Sequence, residues 1–77
     1  MPTLLIHDGF KFFFYANEHL PLHIHVEKGN GYARIELATL NVTENYFKSA
    51  DLKKVLSLVK IHRDLFVEKW YEFFSER

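Results

Sequence analysis

The chain has no cysteine, two prolines, three glycines and no net charge, with ten basic and ten acidic residues among its 77. Without cysteine there is no disulfide and no thiolate metal site, which suits a cytoplasmic protein. A binder that holds nucleic acid by charge alone carries a basic excess. None is present, so any RNA contact has to be local. No apolar run approaches the length of a bilayer span. Nor does a basic stretch followed by a long apolar run open the chain, so neither a membrane segment nor a signal peptide is expected. What is abundant is aromatic surface, with eight Phe, four Tyr and one Trp. A chain this short forms one domain (1–77) and has little core to spend. Its stability has to come from aromatic packing, a His-bound metal or a partner chain.

Thr3–His7 and Phe10–Tyr15 are rich in strand formers and flank Asp8-Gly9. Asp-Gly between two such runs is the strongest local hairpin signal, because a type I′ turn needs two residues that tolerate positive φ. The turn pairs His7 with Phe10, Leu5 with Phe12 and Thr3 with Phe14. It leaves Leu4, Ile6 and Phe13 on a second apolar face that a partner or the C-terminus has to cover. Residues 16–22 read as a connection, since Pro21 argues against a central strand. A second hairpin, 23–28 with 32–37, surrounds Gly29-Asn30-Gly31. Placing Asn30-Gly31 at its tip pairs Glu27 with Arg34 and His25 with Glu36. Ile24, Val26, Ala33, Ile35 and Leu37 then face the core. His23, His25, Glu27, Tyr32, Arg34 and Glu36 face away, and a one-residue slip would invert both sets.

Residues 40–43 hold a short fifth strand or a loop. Ser49 reads as a helix N-cap with Asp51 in the first turn. From Leu52 the apolar residues recur at helical spacing through Val55, Leu56, Val59, Phe66, Trp70, Phe73 and Phe74. A helix over 50–74 spans roughly 37 Å, longer than six-residue strands, so a bend or break near residues 62–64, or a projecting end, is expected. The fold class is therefore α+β. Two hairpins build a four- or five-stranded, mostly antiparallel sheet (1–47), and a long C-terminal helix (49–75) covers one face.

Three chemistries compete for the polar face. His23 and His25 lie two apart on a strand, with both rings on one side. His19 can reach them from the connection, giving three imidazoles and an open position for a divalent transition metal such as zinc. The second is metal-free RNA cleavage, with no cofactor. His23 and His25 exchange protons, Arg34 grips the phosphate, and Glu27 or Glu36 orients an imidazole or acts as base. Tyr15 and Tyr32 stack a base, and Asn17 positions the substrate. The third is pure partner binding through Leu4, Ile6, Phe13 and the aromatic C-terminus, as a homo- or hetero-oligomer. Against all three stands an ordinary solvated sheet face with packed histidines. Trp70 and Phe73 fit the core better than an interface. His7 fits a turn, and His62 a half-buried helix position.

The runs Ile6-His7-Asp8-Gly9-Phe10, Phe14-Tyr15-Ala16-Asn17-Glu18-His19, His23-Ile24-His25-Val26 and Gly29-Asn30-Gly31-Tyr32-Ala33-Arg34-Ile35, with Pro21 between them, resemble the bacterial family known as domain of unknown function 4160. Val59, His62, Leu65 and Trp70 fit its C-terminal half. The spacing His19-x-Pro21-x-His23-x-His25 is the most specific part, although Leu20 and Leu22 depart from the family's proline-rich form. The resemblance implies a component of a two-gene toxin–antitoxin module. This chain would be the toxin, paired with a small antitoxin protein, and a ribonuclease that arrests growth.

Overall fold

At the first turn, Asp8 and Gly9 take φ of 51° and 82°, the two left-handed residues that a type I′ hairpin requires. The computed structural model describes residues 3–74. Strands β1 (Thr3–His7) and β2 (Phe10–Phe13) pair as expected at His7–Phe10, Ile6–Lys11 and Leu5–Phe12. A bulge between Thr3 and Leu5 then moves Thr3 opposite Phe13 instead of Phe14. β3 (His23–Lys28), β4 (Gly31–Glu36) and β5 (Val42–Asn45) follow, so the fifth strand exists. All neighbours are antiparallel, in the order β1-β2-β3-β4-β5.

The second hairpin corrects the expected register. Its pairs are His23–Glu36, His25–Arg34, Glu27–Tyr32 and Lys28–Gly31, so the tip is Gly29-Asn30 rather than Asn30-Gly31. Gly29 supplies the positive φ, at 58°, in the first central position that type II′ turns reserve for glycine. Gly31 has a different task. A Cβ there would lie 2.3 Å from the Phe47 ring, so the bare backbone makes room for that ring. Every pairing moves by two residues, which preserves which side chains share a face. The expected Glu27–Arg34 and His25–Glu36 charge pairs are replaced, and Glu27 meets Lys11 of β2 at 3.7 Å.

Helix α1 runs unbroken over Ser49–Phe74, straight through the positions where a break was expected. At 1.5 Å per residue it is about 38 Å long, and the longest dimension of the molecule is 37 Å. The Lys48 carbonyl accepts from the Leu52 N–H at 2.9 Å, so the cap falls on Lys48, one residue before Ser49. One sheet face presents Phe10, Phe12, Phe14, Ile24, Val26, Ala33, Ile35 and Leu37 to Val55, Leu58, Val59, Phe66 and Trp70 of the helix. Phe12 stacks on Phe66 with centroids 5.4 Å apart, and Phe14 meets Trp70 edge-on at 5.3 Å. Trp70 is core as expected, whereas Phe73 is exposed. Phe13 is buried on the opposite face. Its cover is Tyr15 of the connection, edge-on at 5.4 Å, so neither a partner nor the C-terminus is needed to shield it.

A buried Glu–His–His cluster as the candidate functional site

β3 alternates Ile24 and Val26 into the core with His23 and His25 on the other face. That face was expected to be wet. Instead His23 and His25 are only 2% and 3% exposed, because the connection between β2 and β3 folds back over them. The chain turns after Phe14, and the backbone N–H of Tyr15 donates to Glu18 Oε2 at 2.8 Å. This local bond aims the Glu18 carboxylate at the sheet. Oε1 lies 2.9 Å from His23 Nε2, and Oε2 lies 2.8 Å from His25 Nε2. The same connection supplies the Pro21 carbonyl, 2.8 Å from His23 Nδ1. The Tyr32 hydroxyl of β4 lies 2.7 Å from His25 Nδ1. All four ring nitrogens are therefore engaged.

These partners constrain where the protons sit. A carbonyl only accepts, so His23 Nδ1 must carry hydrogen. Its Nε2 then shares a single proton with Glu18 Oε1. A phenol can donate, so His25 can accept from Tyr32 at Nδ1 while donating from Nε2 to Glu18. Electrostatics agree with that assignment. Burial pushes the His25 imidazole down, Glu18 pulls it back, and the net effect is a lowered pKa that favours the neutral ring. Burial pushes Glu18 up, but the Tyr15 N–H and the two imidazoles outweigh it and hold the carboxyl below its usual range. Burial, with Tyr15 beside it, drives the Tyr32 phenol up to about 12, so it stays protonated as a donor. Aromatic rings close the cluster. Phe13 stacks on His25 at 5.4 Å, Tyr15 tilts over it at 4.3 Å, and Trp70 meets His23 at 5.2 Å.

The shifts set an expected pH dependence. His25 has its folded pKa below the ordinary 6.5, so on acidification the unfolded chain takes up a proton before the native one does, and stability falls below pH 6.5. Glu18, also lowered, contributes stability above its ordinary 4.5 that is lost as pH falls through its folded value. Tyr32 is raised, so stability falls again as pH climbs from 10.0 toward about 12. Urea midpoints at about pH 5, 8 and 11 are expected to peak at the middle value. A midpoint at pH 5 equal to that at pH 8 would contradict the assignment.

The sequence-derived candidates are only partly brought together. His23, His25, Tyr32 and Tyr15 share the cluster. Arg34 lies opposite His25 on β4, and its buried Nε has no hydrogen-bond partner among the described residues. Glu27 pairs with Lys11, and Glu36 accepts from the Thr39 hydroxyl at 3.2 Å. With every ring nitrogen taken by Glu18, Pro21 or Tyr32, neither Glu27 nor Glu36 orients an imidazole. Asn17 and His19 are exposed on the connection. The residue that sequence reasoning missed is Glu18, which takes the place expected of its neighbour His19. The available signal was a lone carboxylate in the connection just before the His23-x-His25 strand, a common hydrogen-bond partner of imidazole. The three side chains offer ligand atoms all within 4.8 Å of one another.

A sequence profile described as Domain of unknown function (DUF4160) matches residues 9–71, most of the chain and all of this cluster. The chain belongs to that family. Neither the curated proteins nor the solved structures gave a match. The matched stretch runs from the first hairpin turn through Tyr71. It thus holds the Tyr15–Pro21 connection, both histidines and the helix residues that pack against them. Members of the DUF4160 family are defined by a segment that, in this chain, builds a closed polar cluster under an aromatic shell.

A second feature lies beside the cluster. Leu20, Pro21 and Leu22 face Leu37, Ala38 and the helix stripe Arg63, Val67 and Tyr71 across an open groove of about 730 Å³. Among the described residues that line it Arg63 is the charged one, and its guanidinium donates to the Ala38 carbonyl. Leu20 is 73% and Tyr71 54% exposed at the rim.

Proposed function

We propose that this chain is the toxin of a bacterial toxin–antitoxin module, acting in the cytoplasm, and that the cognate antitoxin seats an apolar, acid-bearing segment in the groove between Leu20–Leu22 and the Arg63–Tyr71 stripe. The groove carries this reading. A domain of 77 residues with no net charge gains nothing in solubility by exposing Leu20 and Tyr71 around an apolar cleft, and such surfaces mark partner sites. Arg63, the charged residue among the described ones that line it, favours an acidic partner. The pairing with an antitoxin is taken from what the sequence resemblance implies. Among the described residues no helix is long and apolar enough to cross a membrane. The test is growth on expression of the chain with and without the small protein encoded beside it. Arrest relieved by the neighbour is expected, and Leu20→Asp with Tyr71→Asp should keep the arrest while abolishing relief. Relief undiminished in that double variant, or no arrest at all, would count against the proposal.

Ribonuclease action is the second reading. It is favoured by Tyr15, Tyr32 and Arg34 standing around His25 on one sheet face. A base could stack on the half-exposed Tyr15 while Arg34 held phosphate. Acid–base work by His23 or His25 requires that Glu18 or Tyr32 first release a ring nitrogen. RNA cleavage by the purified protein, lost in His23→Ala with His25→Ala, is the expected result on this reading.

A further inference from the structure

Glu18, His23 and His25 are held as a set, and the chemistry of the set points beyond a structural hydrogen-bond cluster. We propose that these three side chains bind one divalent transition-metal ion of the zinc class. The donor set is two imidazole nitrogens and one carboxylate oxygen, which suits zinc and its neighbours and not the hard, oxygen-seeking cations. The ligand atoms lie within 4.8 Å of one another. Bonds of about 2.0–2.2 Å to a tetrahedral ion place such atoms roughly 3.4 Å apart, so closing on an ion takes side-chain shifts of about an ångström.

The outer contacts are those a metal-bound imidazole needs. His23 Nδ1–H donates to the Pro21 carbonyl, which fixes the tautomer that presents Nε2 inward. His25 Nδ1 faces the Tyr32 hydroxyl, an oxygen that can equally accept. The Tyr15 N–H holds the carboxylate. The proton account closes. The ion replaces the one proton shared by Glu18 and His23, which leaves for solvent. His25 moves its hydrogen from Nε2 to Nδ1 with no net change. Three protein ligands leave one position for water or an incoming group. The surrounding Phe13, Tyr15 and Trp70 rings keep bulk water from competing.

A buried polar clasp with no metal would need the same hydrogen bonds, and the experiment separates the two. Untagged full-length protein, stripped with a chelator, is titrated with Co²⁺ and then with Zn²⁺. Expected are the visible bands of four-coordinate cobalt saturating at one equivalent, their loss on adding zinc, and a thermal midpoint raised by the ion. Glu18→Gln should weaken binding by about 100-fold or more, and Tyr32→Phe by roughly 10- to 100-fold. His19→Ala, on the surface, should bind as the parent does. Absence of the cobalt bands in the folded parent, full affinity in Glu18→Gln, or loss of binding in His19→Ala would overturn the proposal. The readout is independent of growth arrest, so this site and the toxin reading fail separately.

Discussion

Glu18→Ala is expected to destabilise the metal-free domain by about 3–5 kcal/mol, the cost of removing one partner from a buried charged cluster. The side chain is only 6% exposed, and its two oxygens meet three donors: the Tyr15 N–H, His23 Nε2 and His25 Nε2. Alanine leaves the two buried imidazole donors without their acceptor, and each unpaired buried group costs about 1–3 kcal/mol. Glu18→Gln keeps an acceptor for one or two of them and should lose less. A domain of this size has about 4–12 kcal/mol of stability in total. The alanine protein should therefore show either a sharply lower urea midpoint or no cooperative transition at neutral pH. A change below about 1 kcal/mol would mean that water reaches the two imidazole donors.

Trp70→Ala is expected to cost about 3–5 kcal/mol, the usual range for truncating a buried aromatic. Trp70 is 4% exposed and contacts Phe14 at 5.3 Å, Phe74 at 4.7 Å and the His23 ring at 5.2 Å. It belongs at once to the core and to the wall of the Glu–His–His cluster. Its loss opens both. Trp70→Phe should recover most of the stability. Urea unfolding checks both variants. A double cycle of Trp70→Ala with Glu18→Ala should show the two changes to be non-additive, since residues that share His23 as a neighbour couple.

What could be seen in the sequence follows from range. The Asp8-Gly9 turn is encoded in two adjacent residues, and its pairing came out as expected up to the bulge at Leu4. The second hairpin is encoded less tightly. Gly29-Asn30-Gly31 offers two possible two-residue turns, and both leave the same residues on the same faces. Side-chain pattern therefore cannot choose between them. The observed turn puts the positive φ on Gly29, and Gly31 lies against the ring of Phe47, sixteen residues further on, which occupies the space a Cβ would fill. The inward face of β3 and β4 was legible by alternation, and so was the helix by its spacing. The outward face was misjudged as wet because alternation reports which side a residue lies on, and what covers that side is a tertiary matter. Glu18 was missed for the same reason. Nothing periodic places a connection residue, and its direction is fixed by the Tyr15 N–H and by histidines five and seven residues later. His19 carried the more familiar ligand chemistry and lies on the surface.

Connections between strands usually tolerate added or deleted residues. The segment from Tyr15 to Pro21 is an exception, since it makes three backbone or side-chain contacts with two fixed imidazoles. Tyr15 gives an N–H to the carboxylate, Glu18 gives the carboxylate to both rings, and Pro21 gives a carbonyl to the far side of one ring. An extra residue between Glu18 and Pro21 can leave the carboxylate in place or the carbonyl in place, but not both. The length of this stretch is thus a measured quantity of the fold. In homologous chains, gaps should gather at the turn around Thr39 and avoid the interval between these two residues.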